Sequence, residues 1–504
     1  MRITSPFHAA SRAAGRFRHA LMDPAQREGA VLLALGFYVV LWTIYGTIAK
    51  GSQGLHPDMT ELVAWSRDLS LGYLKHPPLA AWIVRGWFDL MPLTETSYYL
   101  LAMLMPAIAL WFSWRVSEDF LDIEKRVVGL ALLTLIPFFN FHALKYNVNT
   151  VLMPLWAATT FWFLRSYRTR SALYAALAGI GAAACMLGKY WSMFLLAGLF
   201  LAVLIDARRG QYFRSWAPWI TAAIGAAVLA PHVYWLVQNH FAPFTYALTV
   251  HGEKPLGAAL SSVLGYLAGS IGYAAIPVII VLAMAWPGRA ALGDMIWPAE
   301  RDRRLAAAAF WSVLLLPAIG ALAGGAEITS LWSMPAFTLL PVLLLSRPAV
   351  LVIAADTRRL LIAAVVVPLL MLIAAPLFAI EVFRAGPSPA AAQAQLLAGE
   401  VEREWHTVTP RPLRFVGGQA DLAYGVVTYA ADRPRALPGM AQPGAGELAR
   451  DGMALVCFAQ DAGCVNAAQA GSPDARRVEI DIVHNYLGMP GKRQSYTMFI
   501  VAPK

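Results

Sequence analysis

The chain has 504 residues, of which 58% are hydrophobic and only 14% are charged, and its formal net charge is +10. An average soluble protein carries about 25% charged residues. This composition therefore excludes an ordinary soluble protein and favours a multi-pass membrane protein. A positive excess is also typical of nucleic-acid-binding proteins, so the positions of the charges must decide between the two explanations.

Long apolar segments recur along the chain and predict transmembrane helices, since a spanning helix needs about 20 mostly apolar residues. The first segment is too long for a cleavable signal peptide, and no small-residue cleavage site follows it. Eleven segments are predicted to span, near residues 31–49, 97–115, 127–141, 149–165, 172–188, 190–206, 216–237, 258–286, 305–323, 331–346 and 359–383.

The distribution of Lys and Arg between the loops predicts the orientation of these spans. Segments on one side, including the basic N-terminal arm at residues 1–30, carry 21 Lys and Arg against 11 Asp and Glu. The loops on the other side carry 7 against 8, and the tail carries 12 against 11. We therefore expect a cytoplasmic N-terminus, with the odd number of spans placing the C-terminus outside. The net charge then reflects membrane topology, and a nucleic-acid partner is not expected.

The first outer loop, residues 50–96, is too long for a simple turn. It predicts two helices that lie in the membrane interface, near residues 59–70 and 79–90, joined by an extended segment around Pro77-Pro78. The loop places two acids and two cationic groups at the outer surface: Asp58, Glu61, Lys75 and His76. A lipid-anchored loop whose charges are simply solvated is the alternative interpretation.

Further polar residues recur at the outer ends of the later spans. Lys189 is wedged between two apolar runs, where a cation is costly unless it reaches the interface or meets an anion. If Lys189 were the only polar residue at this depth, snorkelling of its side chain to the interface would explain it. Several polar residues at the same depth instead favour an anion-binding cavity. The group comprises Lys145, Tyr146, Asn149, Lys189, Tyr190, Asn239, His240, His251 and Glu327.

The composition changes sharply after residue 384. Helical periodicity covers residues 390–405, and strand-like runs lie at 413–417, 453–458, 478–483 and 496–501. We therefore expect a membrane domain at residues 31–384 and a small soluble α/β domain at residues 385–504. Cys457 and Cys464 lie within that domain, and an outer location permits either a disulfide or two buried thiols.

The first-loop motif resembles the signature of family 39 glycosyltransferases. The motif consists of Asp58 before a helix, then Gly72-Tyr73 and Lys75-His76-Pro77-Pro78-Leu79. These enzymes are polyprenyl-phosphate-sugar-dependent members of the GT-C superfamily, related to aminoarabinose and protein O-mannosyl transferases. The later segments that also resemble the family are Lys145-Tyr146-Asn147 before Pro154-Leu155-Trp156, Leu187-Gly188-Lys189-Tyr190, and Pro231 through Trp235 to Asn239-His240-Phe241.

The resemblance implies a GT-C fold and a bacterial inner-membrane enzyme with a periplasmic active site. Such an enzyme would move a sugar, with inversion, from a polyprenyl phosphate carrier to an envelope acceptor. Lipid A or the lipopolysaccharide core is the expected acceptor, and a protein or another lipid is the alternative. The chain departs from the family pattern at Met59 and Lys75, where the family often has acidic residues.

Sugar transfer needs a base for the acceptor hydroxyl and fixed positive charge for the departing phosphate. We predict Asp58 as the base, with Glu61 one helical turn later. The predicted phosphate-binding residues are Lys75, His76, Lys145, Tyr146, Asn149, Lys189 and Tyr190. Asn239, His240, His251 and Glu327 are candidates for further substrate contacts.

The sequence also bears on a metal site and on a transport function. No metal-ligand spacing is present among the ten His, so no resident metal is expected, although a divalent cation could bridge Asp58 and the donor phosphate. A transporter or flippase is the alternative function. Transporters usually carry ionisable groups near the bilayer midplane, whereas these groups cluster at one face. The glycine motif Gly179-Ile180-Gly181-Ala182-Ala183-Ala184 matches a dinucleotide-binding fingerprint, but it lies in an apolar helix with no preceding strand. It therefore indicates close helix packing.

Overall fold

The computed structural model describes residues 15–252, 254–284, 289–386, 388–440 and 443–504. Arg2 and Arg12 of the basic arm and Glu253 of an outer loop lie outside the described residues. The chain forms two compact units. The first, here called the bundle unit, joins the described part of Met1–Thr43 to Leu100–Leu372, and the second, here called the tail unit, joins Ile44–Tyr99 to Ile373–Lys504. The predicted domain boundaries remain a prediction.

The bundle unit is helical. Eleven of the described helices lie wholly within it: Ile123–Thr134, Val148–Thr169, Ala172–Gly188, Met193–Ile205, Arg209–Phe213, Ala217–Gln238, Ala242–His251, Leu256–Met284, Arg289–Ile296, Arg301–Gly324 and Leu340–Leu345. It also contains part of three longer helices: Arg27–Ala49 as far as Thr43, Glu95–Ser117 from Leu100 onward, and Ala354–Ala385 as far as Leu372. Short 3-10 helices lie at Pro137–Phe139, Tyr190–Ser192 and Ser330–Leu339.

Six described helices are long and apolar enough to cross a membrane. They are Arg27–Ala49, Glu95–Ser117, Ala217–Gln238, Leu256–Met284, Arg301–Gly324 and Ala354–Ala385. Each of the remaining predicted spans also falls on helical structure, which confirms the all-α membrane class. The third differs most, because its helix ends at Thr134 after 12 residues, a rise of only about 18 Å.

Small residues allow the helices to approach closely. A methyl group on Gly179 would lie 2.6 Å from the carbonyl oxygen of Thr221, and one on Gly225 would lie 3.3 Å from the carbonyl oxygen of Gly179. The two helices therefore touch backbone to backbone at this point. This contact confirms that the glycine motif serves helix packing.

The tail unit combines the first loop with a five-stranded sheet. Its helices are Pro57–Ser66, Leu79–Leu90, Pro389–Ala392, Ala394–Val408, Ala420–Tyr429, Ala445–Asp451 and Ala462–Gly471, together with the adjoining ends of three long helices. The strands are β1 (Phe415–Gly418), β2 (Arg435–Ala436), β3 (Met453–Phe458), β4 (Arg476–Tyr486) and β5 (Met489–Val501). They are ordered β2-β1-β3-β5-β4.

The sheet is mixed. β1 pairs in parallel with β2 and β3, whereas β5 pairs antiparallel with β3 and β4. The helix Ala394–Val408 presents Leu397, Val401 and Trp405 to the core, which explains its helical apolar spacing. All four predicted strands and the predicted helix are present, so the α/β class of the tail is confirmed. The two-residue strand β2 was not predicted.

The sequence left two states open for Cys457 and Cys464. The structure joins them in a disulfide, with Cα atoms 5.8 Å apart. Cys457 on β3 is fully buried, and Cys464 lies in the helix Ala462–Gly471, so the bond ties helix to sheet. Cys185 is a buried free thiol in contact with the Thr159 hydroxyl.

Candidate active site

The first-loop helix Pro57–Ser66 holds the predicted base. Its Pro57 occupies the first helical turn, where no backbone N–H is needed. His56 precedes it in an extended conformation, and its Nδ1 accepts the backbone N–H of Asp58 at 3.1 Å. The Asp58 side chain is 42% exposed and therefore open to a substrate hydroxyl. His56 was missed by the sequence analysis.

Glu61 faces a different environment on the same helix. Its Oε1 accepts a hydrogen bond from the Lys75 ammonium at 2.6 Å, and only 12% of its side chain is exposed. Burial raises the pKa of Glu61, and Lys75 opposes this shift. Lys75 is thus the ionic partner of Glu61, a contact that the sequence did not predict.

Three aromatic side chains of the first loop form a cluster. The rings of Trp65 and Tyr73 are stacked, with centroids 4.8 Å apart, and His76 approaches the edge of Trp65 at 6.1 Å. The Tyr73 hydroxyl donates to the carbonyl oxygen of Trp65, and the Tyr73 N–H donates to the carbonyl oxygen of His76. These bonds fix the extended turn that carries Lys75 and His76.

The C-terminal region contributes directly to the first loop. Tyr429 accepts the backbone N–H of Leu55 at 2.9 Å and donates to Glu95 at 2.8 Å. Arg435 forms an ion pair with Asp68. Because these partners are more than 300 residues apart in sequence, no local pattern could have revealed them.

Lys189 of the bundle unit is held by polar and aromatic groups. Its ammonium donates to Asn149 Oδ1 at 2.8 Å and lies 4.4 Å from the centre of the Trp332 ring. Trp191 donates its indole N–H to the carbonyl oxygen of Trp332 and packs against that ring. A cation fixed over an aromatic face is a preorganised anion partner. Neither tryptophan was predicted.

Asn149 is positioned by the start of its own helix. Asn147 precedes Val148–Thr169 in an extended conformation, and its Oδ1 accepts the backbone N–H groups of Asn149 and Thr150. Such capping fixes the first helical turn. Two predicted residues precede Asn147. Lys145 is partly exposed, whereas the Tyr146 side chain is fully buried.

His251 also packs against Trp332. The two rings are 5.2 Å apart in a T-shaped contact, and burial and the charge of Lys189 lower the pKa of His251. The backbone N–H of Glu327 donates to the carbonyl oxygen of His251, and the Glu327 carboxylate faces Lys254 at 3.8 Å. The structure therefore brings Lys189, His251 and Glu327 into one neighbourhood.

The remaining predicted residues are placed differently. The Tyr190 hydroxyl is 2.9 Å from His232 Nε2, so a polar partner that the sequence analysis missed holds it. Asn239 and His240 are exposed at the end of Ala217–Gln238, where His240 and Phe241 have positive φ angles. Within the described part of the chain, no group of three or more His, Cys, Asp or Glu could hold a metal ion.

Comparison with known proteins identifies the class. Residues 75–235 match a family described as dolichyl-phosphate-mannose-protein mannosyltransferase. The lipopolysaccharide core galacturonosyltransferase RgtB of Rhizobium johnstonii is 26% identical over 324 residues, which cover 62% of this chain and 64% of RgtB. The lipid A galacturonosyltransferase RgtD of the same organism is 25% identical over 263 residues, 51% of this chain and 54% of RgtD. The chain thus spans less than two thirds of either relative.

Solved structures agree over nearly the whole chain. Apo ArnT from Cupriavidus metallidurans superposes with a TM-score of 0.60 at 12% identity, covering 93% of this chain and 98% of ArnT. The same protein bound to undecaprenyl phosphate gives 0.58 at 13% identity, with the same coverage. The chain is therefore a multi-pass membrane protein with the GT-C glycosyltransferase fold of the ArnT-like type. This fold is the one that the resemblance to family 39 in the sequence motifs implied.

Proposed function

We propose that the protein transfers a sugar from a polyprenyl phosphate carrier to a lipopolysaccharide acceptor, either lipid A or the core. The fold supports a polyprenyl-linked donor, since the ArnT structure of the same fold was solved with undecaprenyl phosphate. The relatives support the acceptor, because RgtB acts on the core and RgtD on lipid A. They also make a uronic acid the first sugar to test.

The fixed ammonium of Lys189 is the observation that carries this proposal. Asn149 and Trp332 hold it in place, so no reorganisation is needed when negative charge develops on a leaving phosphate. We assign Lys189 to the donor phosphate, with Lys145 as a second cation. Tyr190, Asn149 and His251 complete the proposed donor contacts, while Tyr146 supports the loop from inside.

Asp58 is assigned to the acceptor. In the proposed step the acceptor oxygen bonds to the anomeric carbon while the bond from that carbon to the phosphate oxygen breaks. The acceptor proton passes to the Asp58 carboxylate, and polyprenyl phosphate leaves with both electrons of the broken bond. Asp58 suits this role better than Glu61, because Glu61 is buried and bonded to Lys75.

We propose an inner-membrane location with the N-terminus in the cytoplasm and the tail in the periplasm. The excess of Lys and Arg on one side of the predicted spans supports this orientation. The disulfide between Cys457 and Cys464 suits an oxidising compartment. The comparisons give no support to the alternative function, a transporter or flippase.

Transfer in proteoliposomes tests the proposal. Purified protein would be given a polyprenyl phosphate-linked uronic acid or hexose with lipid A, and products would be identified by mass spectrometry. We expect glycosylated lipid A or core with wild-type protein, and a loss of about 10²-fold or more with Asp58→Asn. Asp89→Asn is the matched control, since Asp89 is an exposed acid of the same loop paired with Arg85. Near-normal transfer by Asp58→Asn would remove the assigned base.

A further inference from the structure

Two candidate spanning helices end side by side in the tail unit. Arg27–Ala49 and Ala354–Ala385 are both long and apolar enough to cross a membrane. Near these ends Tyr45 packs against Phe378, with ring centroids 6.3 Å apart. The ends of spanning helices mark the boundary between hydrocarbon and headgroups. Any segment that contacts them therefore lies at the level of the lipid headgroups.

The hairpin formed by β4 and β5 reaches both helix ends. Phe383, in the last turn of one helix, packs against Tyr486 at 5.6 Å and His484 at 5.9 Å. A methyl group on Gly51, just beyond the other helix, would lie 3.9 Å from the Tyr486 hydroxyl. The end of this hairpin is therefore fixed at headgroup level.

The tip of the hairpin has the composition of a membrane-interface segment. Leu487 is 72% exposed at the turn, and Val483 on the edge strand is 40% exposed. Lys492 and Arg493 follow on β5 with exposed side chains, and Lys492 Nζ would lie 3.4 Å from a methyl group on Gly386. Exposed apolar groups flanked by cations suit an interface that offers acyl chains and phosphates.

We infer that the β4–β5 hairpin tip inserts Leu487 into the headgroup region of the adjoining leaflet and binds anionic lipid headgroups through Lys492. The tip thereby fastens the sheet of the tail unit to the membrane surface. This inference does not depend on sugar transfer, because it concerns lipid contact alone. Arg493 has a weaker claim, since it faces Asp481 at 3.8 Å.

Fluorescent labels on the full-length protein test the inference. Leu487→Cys and Arg477→Cys would each be labelled with an environment-sensitive dye in vesicles of phosphatidylethanolamine and phosphatidylglycerol. Both positions are exposed on or beside β4, about 33 Å apart along the strand. Wild-type protein treated with the same dye is the background control. It should take up little dye, because Cys185 is buried and the other cysteines form a disulfide.

We expect lipids with a nitroxide near the headgroup to quench the label at 487 severalfold more than the label at 477, and aqueous iodide to show the reverse order. Adding Lys492→Gln should weaken lipid quenching at 487 in phosphatidylglycerol vesicles and leave it unchanged in pure phosphatidylcholine. Equal iodide quenching at both positions would overturn the inference. A label at 487 that neither quencher reaches would indicate protein contact and overturn it as well. Asn485→Cys gives a second position if Leu487→Cys folds poorly.

Discussion

The acids and the cations of the proposed machinery are held in different ways. In the tail unit, Glu61 is bound to Lys75, and the surrounding loop is tied to the C-terminal region by Tyr429 and Arg435. In the bundle unit, the Lys189 ammonium contacts the amide oxygen of Asn149 and the rings of Trp191 and Trp332. The first arrangement pairs opposite charges within the protein, whereas these contacts fix the position of an ammonium group.

This difference indicates separate tasks. The Glu61 carboxylate is already bonded to Lys75, so this pair can hold the shape of the loop around Asp58. A cation that an amide and aromatic rings hold in a fixed position can bind an anion, which a phosphate supplies. Substitutions of Lys189 and Asn149 should therefore reduce catalysis, whereas substitutions of Lys75 and Tyr429 should reduce stability.

Loss of the cation at Lys189 should have the largest effect. We expect Lys189→Met to lower transfer by about 10²-fold, because charge on the leaving phosphate would lose its fixed partner. Arg85→Gln, which removes an exposed cation from the first loop, should leave transfer unchanged. Both variants would be compared with wild type by their transfer rates at saturating and at limiting donor concentration. Wild-type rates in Lys189→Met would end the assignment.

Loss of the Asn149 amide should have a smaller effect. Asn149→Ala keeps the charge of Lys189 but removes the amide oxygen that holds its ammonium group in place. We therefore expect about a tenfold fall in transfer, mostly as a higher KM for the donor. Asn149→Asp would hold Lys189 and neutralise it, and should also raise the KM. A substitution that lowered only the yield of folded protein, with unchanged KM, would indicate a purely structural amide.

Removal of Lys75 should reduce stability in a pH-dependent way. Lys75→Gln leaves Glu61 buried without its cation, and we expect a loss of about 1–3 kcal/mol at pH 7. The pKa of Glu61 is already raised by burial, and it should rise further. A raised carboxyl pKa costs stability above the unfolded value of about 4.3 and costs none below it. Thermal unfolding should therefore show the gap from wild type narrowing as the pH falls from 7 to 4, and a gap independent of pH would contradict the pair.

The smallest expected effect concerns the link between the first loop and the C-terminal region. Tyr429→Phe leaves the Leu55 N–H and Glu95 without their shared partner, at a cost of about 1–2 kcal/mol. Tyr234→Phe serves as a control, since that side chain is 64% exposed. Equal unfolding temperatures for the two variants would show that the hydroxyl of Tyr429 contributes nothing.

Much of this architecture could be predicted from apolar periodicity alone. β3 was predicted at its observed bounds, and the two first-loop helices, Pro57–Ser66 and Leu79–Leu90, lie on either side of the Pro pair at 77–78 as predicted. The contacts between these side chains could not be predicted. Lys75 contacts Glu61, and Lys189 contacts Trp332, only because separate elements pack together in the fold. The state of Cys457 and Cys464 likewise depended on the approach of a helix to β3. Sequence patterns indicated which residues are unusual, and the fold determined their partners.

Mass spectrometry of lipopolysaccharide tests the central claim most directly. Cells that contain the wild-type protein, Asp58→Asn, or no copy of the chain would be compared by intact mass of lipid A and core. We expect one sugar residue to be present with wild type and absent from both other strains. Identical masses in all three strains, or the sugar persisting with Asp58→Asn, would contradict sugar transfer by this site.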